Sequence, residues 1–171
     1  GVSQTGTGFV GSEGFESAPV ASGTITDVGS KANTLEIPEL KDNTLEGNYT
    51  ISKTEGTLTI TVSNDLTVKV TGFSGLYDGA THFVSSVLSD EEDTILYYST
   101  TGGTNLASYT TTPIGVKNVG ENRTIYVAAV NKNYETAFGF AAITLSKRTV
   151  ALTSATDSKE YDGTPLTNAG V

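Results

Sequence analysis

The tripeptide Tyr-Asp-Gly occurs twice, at Tyr77-Asp78-Gly79 and Tyr161-Asp162-Gly163. Each copy follows a short Val/Leu/Thr run that reads as an opening strand, residues 66–70 in one case and 150–152 in the other. A motif that recurs in the same setting marks a structural repeat, and a repeat restricts the fold more than any local propensity does. After the first copy come Asn118-Val119-Gly120, Asn133-Tyr134 and a final strand over 140–145. The first sixty-odd residues carry only the later landmarks of that order: Asp27-Val28-Gly29, Asn48-Tyr49-Thr50-Ile51 and a final strand over 56–61. Their opening strand and Tyr-Asp-Gly reappear at the C-terminus. The order predicts three parts. Residues 1–65 are a domain A without its first strand and motif, residues 66–148 are a complete domain B, and residues 149–171 open the next domain A. Overlaying Gly170 on Gly1 closes the register at a repeat of 169 residues. Gly79 to Gly120 spans 41 residues, and the wrapped step from Gly163 to Gly29 spans 35; the following steps to Asn-Tyr span 13 and 19. Differences of that size fit in surface loops at little cost.

The local pattern agrees with β-structure. Leu58, Ile60 and Val62 alternate with threonines, and Leu66, Val68 and Val70 keep the same period of two. Residues 2–14 read as a strand around Phe9-Val10, 18–26 as a second, 35–40 as a third broken by Pro38, and 49–53 as a fourth. In domain B the strong strands are 94–99, 124–130 (read as central) and 137–145, with Gly102-Gly103 as the hairpin turn after the first. No stretch keeps a helical period. Short strands separated by turns predict all-β, tandem β-sandwiches.

Tyr161-Asp162-Gly163-Thr164-Pro165-Leu166-Thr167, followed in the wrapped register by residues 2–14, resembles the Tyr-Asp-Gly (MBG/YDG-like) type of Ig-like repeat in large bacterial surface adhesins. Residues 48–60 resemble the closing strands of the same repeats. Domain B departs from the pattern, with Ala80-Thr81-His82 in place of Thr-Pro-Leu-Thr and with Glu135 after Asn133-Tyr134. The resemblance implies Ig-like sandwiches in an end-to-end array at a bacterial cell surface, and it implies no single ligand. A net charge of −9 disfavours nucleic acid and anionic membranes as partners. The chain has no Cys, so disulfides, thiol chemistry and Cys-ligated metals are ruled out.

Each candidate for chemistry has a plainer reading. In Tyr-Asp-Gly, Gly supplies a left-handed turn residue, Asp bonds the turn amides and Tyr packs its ring. His82 is the only histidine and has no nucleophile elbow to serve. Asp90-Glu91-Glu92-Asp93 has carboxylates suited to calcium but lacks a calcium-loop pattern, and reads as a solvated acidic turn. Asn64-Asp65 is the better calcium candidate, because it sits at the junction of A and B. Lys69 with Asn131 or Asn133 is the obvious pair for a Lys-Asn isopeptide staple, although alternation turns Lys69 away from Val68 and Val70. Asn48-Tyr49-Thr50 and Asn122-Arg123-Thr124 match the N-glycosylation acceptor by accident. No catalytic, cofactor or metal residue is expected, and no enzyme activity.

The expected role is a structural stalk repeat of a surface adhesin or extracellular filament. Its partners are neighbouring copies, head to tail, with residues 149–171 completing the next copy's domain A. The alternative is an adhesive module for host glycans or glycoproteins, with Tyr97, Tyr98, Tyr109 and Tyr126 as candidate contacts. For the tail itself two geometries are open: completion of another copy, or fold-back onto residues 1–65 of its own chain.

Overall fold

The computed structural model describes residues 1–167, so the expected overlay of Gly170 on Gly1 lies outside the described residues. Ten strands are formed among the described residues: β1 (Val20–Ala21), β2 (Gly29–Asn33), β3 (Leu35–Glu36), β4 (Gly56–Ile60), β5 (Val68–Thr71), β6 (Phe73–Leu76), β7 (Ser85–Leu88), β8 (Ile95–Ser99), β9 (Arg123–Val130) and β10 (Ala137–Ser146). The helical pieces among the described residues are single 3-10 turns at Glu46–Asn48, Leu106–Ser108 and Val119–Glu121. The chain is all-β, in small sheets, and no helix among the described residues is long and apolar enough to cross a membrane.

Residues 66–148 hold the core. A four-stranded sheet runs β6-β10-β9-β8, and β5 pairs antiparallel with β7. The run 124–130 is central, as its composition requires. Ile125, Val127 and Ala129 are buried on one face of β9 and Ala128 on the other, and a strand covered on both sides reads as continuously apolar. On β10 the alternation is clean: Ile143 and Leu145 point inward, Phe138 and Phe140 outward. Val116, Ile125, Ile143 and Leu145 form the buried cluster, with Phe73, Val84, Tyr98, Ile114 and Val119 packed against it.

The opening strand of this region serves two sheets. β5 pairs with β7, the chain turns at Gly72, and β6 then runs parallel to the end of β10, from Phe73↔Ile143 to Leu76↔Ser146. Gly72 is required by close approach, since a Cβ there would stand 2.0 Å from the Ala142 carbonyl oxygen. The expected hairpin at Gly102-Gly103 is a looser reversal. Both glycines have positive φ, but the returning chain makes one bridge, Tyr98↔Thr110, and no strand. The 3-10 turn at Leu106–Ser108, capped by the Asn105 side chain on the Ala107 amide, uses the residues that a returning strand would need.

Residues 1–65 depart further from expectation. Residues 2–14 form no strand, because Gly6, Gly8, Gly11 and Gly14 all take positive φ and interrupt any extended run. Of 18–26 only β1 forms, and of 35–40 only β3, which ends two residues before Pro38. Residues 49–53 form no strand, since Tyr49 is drawn out of any ladder to pack its ring on Phe9. A strand the alternation did not signal, β2 (Gly-Ser-Lys-Ala-Asn), pairs with β4. No apolar side chain of 1–65 joins the buried core. Phe9, Phe15 and Tyr49 form a half-buried ring cluster instead, with centroids 5.0 Å (Phe9–Phe15) and 4.8 Å (Phe9–Tyr49) apart.

Candidate assembly site

Residues 149–167 carry no strand and are exposed throughout. Val150, Leu152 and Tyr161 project into solvent, Tyr161 with 97% of its surface accessible. The turn they lead into is formed all the same. Asp162 Oδ1 accepts from the Thr164 amide (2.9 Å), the Thr164 hydroxyl (2.7 Å) and Lys159 Nζ (2.8 Å), and Gly163 takes φ +74°. Lys159 also donates to the Pro165 carbonyl at 3.3 Å. These donors, Lys159 foremost, pull the Asp162 carboxyl down to about 2.

The first Tyr-Asp-Gly has the same local chemistry. Asp78 Oδ1 accepts from the Ala80 amide at 2.9 Å and meets His82 Nε2 at 3.1 Å, and Gly79 takes φ +83°. The Ala80 amide first and His82 second hold Asp78 below the usual carboxylate range. Here the turn is docked as well. The Tyr77 amide donates to the Ser146 carbonyl at 2.9 Å, one backbone bond beyond the end of β6, and the Arg148 side chain donates through Nε to the Tyr77 carbonyl at 2.5 Å. His82 stacks on Phe73, with centroids 3.7 Å apart, and bridges Val116 through its backbone. The lone histidine is thus a packing residue.

The junction between residues 1–65 and 66–148 is closed by side-chain amides and a lysine. The Ser63 amide donates to the Asn133 carbonyl (3.0 Å) and the Glu135 amide to the Ser63 carbonyl (2.8 Å). Asn133 Oδ1 accepts from the Val28 amide (2.9 Å) while its Nδ2 donates to Asp27 (3.1 Å). Lys132 Nζ lies 3.2 Å from Asp27 and 3.7 Å from Asp93. Asn133 first and Lys132 second lower the Asp27 pKa. Sequence reasoning singled out Asn133 for a different role and missed Asp27 and Lys132, whose pairing spans 105 residues and leaves no local signal.

The other candidates are placed elsewhere. Asp65 Oδ2 accepts from the Ser63 hydroxyl at 2.9 Å, within its own turn. Asp90 bonds the Glu92 amide and the Tyr134 hydroxyl, and Asp93 faces Lys132, so the acidic run is divided among different partners. Among the described residues no three metal-ligating side chains converge. Lys69 is exposed on β5, whereas the Asn131 amide is buried and donates to the Glu92 carbonyl and the Thr94 hydroxyl; no bond joins them or joins Lys69 to Asn133. Asn122 bonds both the amide and the carbonyl of Leu145, at 2.8 and 2.9 Å, a strand-like bracket on β10.

Of the tyrosines, Tyr98 packs on the core. Tyr126 and Tyr109 lie instead beside the outward Phe140 and Phe138, at 5.7 and 6.3 Å between centroids. Burial pushes the Tyr109 phenol up. The two phenylalanines escaped sequence reasoning, although their i, i+2 spacing around Gly139 put both on one face of β10. No family model, curated protein or solved structure matches this chain.

Proposed function

We propose that the chain is a structural stalk repeat of a bacterial surface adhesin or extracellular filament, mechanical in role, in which residues 149–167 complete residues 1–65 of a following copy. The support is an imbalance within one molecule. Residues 66–148 have an opening strand and a buried apolar core, residues 1–65 have no buried apolar core, and residues 149–167 are exposed, with a formed turn and no strand, although their sequence matches the opening strand of 66–148. The split opening strand of 66–148, antiparallel to β7 and then parallel to β10, is the pattern of an Ig-like sandwich and favours that fold for the unit. The clasp at Asp27, Lys132 and Asn133 favours a stiff junction within the copy. Each link contacts only its neighbours, as in other linear arrays.

The test is a tandem chain in which Ala169 of the first copy is followed by Gly1 of the second. Hydrogen exchange then compares residues 1–65 in the two copies. Stronger protection in the second copy alone supports completion between copies. Equal protection in both removes it.

A second reading, adhesion to host glycans or glycoproteins, is favoured by the outward Tyr109, Tyr126, Phe138 and Phe140, since aromatic faces stack on sugar rings. Phe140→Ala would abolish glycan capture on an array without changing the melting transition.

A further inference from the structure

We infer that the acceptor for residues 149–167 is the free edge of β4, and that the second half of the tail adds there as a parallel strand. This rests on the completion between copies proposed above and names its site. β4 is paired through one edge only, antiparallel to β2, and among the described residues no strand occupies the other. An unpaired edge presents alternate N–H and C=O groups to whatever strand approaches. β10 shows how the equivalent edge is filled. It carries Ile143-Thr144-Leu145 with the aliphatics inward and Thr144 outward, and it receives β6 in parallel immediately before Tyr77-Asp78-Gly79. β4 carries Leu58-Thr59-Ile60 with the aliphatics half-buried and Thr59 outward.

Tyr161 follows Tyr77 by 84 residues, and the same offset places 157–160 where β6 lies and sets Val150 and Leu152 in the places of Leu66 and Val68. Leu66 is 5% exposed and Val68 half-buried, whereas Leu152 is 92% exposed in the free tail. The division of labour follows. Val150 and Leu152 supply apolar area to a half that has no core, and 157–160 supply backbone hydrogen bonds to β4. Phe73 corresponds to Asp157, so the ladder half of the tail is polar. A polar, charged strand is the form in which an exposed edge-seeking segment stays soluble before it pairs. The turn needs no rearrangement on docking, because Asp162, Thr164 and Lys159 already hold it.

The absence of native cysteine makes a disulfide test clean. In the tandem chain, Ser158→Cys in the first copy corresponds to Ser74, the outward partner of Thr144. It is combined in turn with Thr59→Cys on β4 of the second copy or Thr61→Cys just after it, with Ala32→Cys on β2 of the second copy, and with Thr59→Cys of the first. Neighbouring strands bring such pairs within disulfide reach. The expected result is loss of both free thiols under mild oxidation for Thr59→Cys or Thr61→Cys of the second copy alone. It is accompanied by slowing of β4 amide exchange in that copy by about tenfold or more. Oxidation with Ala32→Cys instead, while the second copy still gains protection, overturns the β4 assignment and leaves completion standing. Oxidation with Thr59→Cys of the first copy means fold-back and overturns both. No oxidation in any pair overturns the edge assignment, and the protection of the second copy then decides separately whether completion stands.

Discussion

Residues 66–148 and residues 1–65 both close with a strand of alternating aliphatics and threonines, but only one of the two closing strands is sandwiched. β10 lies between β9 and β6, and its Ile143 and Leu145 are buried. β4 has β2 on one side and, among the described residues, no strand on the other, and its Leu58 and Ile60 are half-buried. Sequence pattern sets which side chains of a strand can face a core; whether a core exists depends on a segment far away in the chain supplying the second edge. The two Tyr-Asp-Gly turns make the same point from the donor side. Their Asp and Gly geometries agree, while Tyr77 is hydrogen-bonded through its backbone to β10 and its neighbour Arg148, and Tyr161 stands free.

The sharpest way to break that comparison is to truncate the same position in each closing strand. Ile143→Ala removes a fully buried side chain from the core cluster and should destabilise the chain by about 2–5 kcal/mol in chemical denaturation. Ile60→Ala should cost less than about 1 kcal/mol in the single chain, because most of the cavity term is missing. Equal losses would mean that residues 1–65 have a core of their own. In the tandem chain the second copy's Ile60→Ala should move toward the Ile143→Ala value.

A smaller contrast separates the turns. Gly79 and Gly163 both occupy the left-handed region with open space around them, so Ala at either meets backbone strain and no clash. Gly79→Ala should destabilise by about 1–2 kcal/mol, the usual cost of placing an L side chain there. Gly163→Ala should leave the unfolding midpoint of the single chain unchanged, since its turn packs on nothing, and should lower protection of the second copy in the tandem chain. If Gly163→Ala shifts the single-chain midpoint as much as Gly79→Ala, the tail is packed on its own chain.

How far the sequence was legible follows from the range of the forces involved. Strands 66–70, 94–99, 124–130 and 137–145 were readable because a core lies under them and period-two burial imprints itself on the residues. The junction clasp was illegible, because Asp27, Lys132 and Asn133 meet across more than a hundred residues and any polar side chain suits an exposed bond. β2 was missed since a strand with no buried face, Gly-Ser-Lys-Ala-Asn, has no reason to alternate. Residues 2–14 and 49–53 were over-read as strands for the converse reason. The alternation of 49–53 is real, but Tyr49 serves the ring cluster with Phe9 and Phe15, and in 2–14 the apolar pair Phe9-Val10 lies in a run that positive-φ glycines break. In the Tyr-Asp-Gly turns the Asp and Gly roles were legible, being held by bonds within a few residues, whereas the expected packing of the tyrosine ring is not found: Tyr77 and Tyr161 are both exposed.

The mildest expected effect concerns pH and tests whether the free turn is as well made as the docked one. Asp162 is held at about 2 against an ordinary 3.8, chiefly by Lys159 and then by Thr164. A depressed carboxylate favours the formed turn above the unfolded value and loses that contribution as pH falls from about 3.8 through about 2. Carboxyl NMR titration of the single chain should therefore show Asp162 ionising near 2, and Lys159→Ala should raise that midpoint toward 3.8. Asp78, whose Ala80 amide contributes more than His82, should keep a lowered midpoint in His82→Gln. Global unfolding should register the Asp78 titration, because its turn is tied to β10, and should be indifferent to that of Asp162. If acid unfolding instead tracks Asp162, the tail is part of the cooperative unit and cannot be the free donor of the stalk.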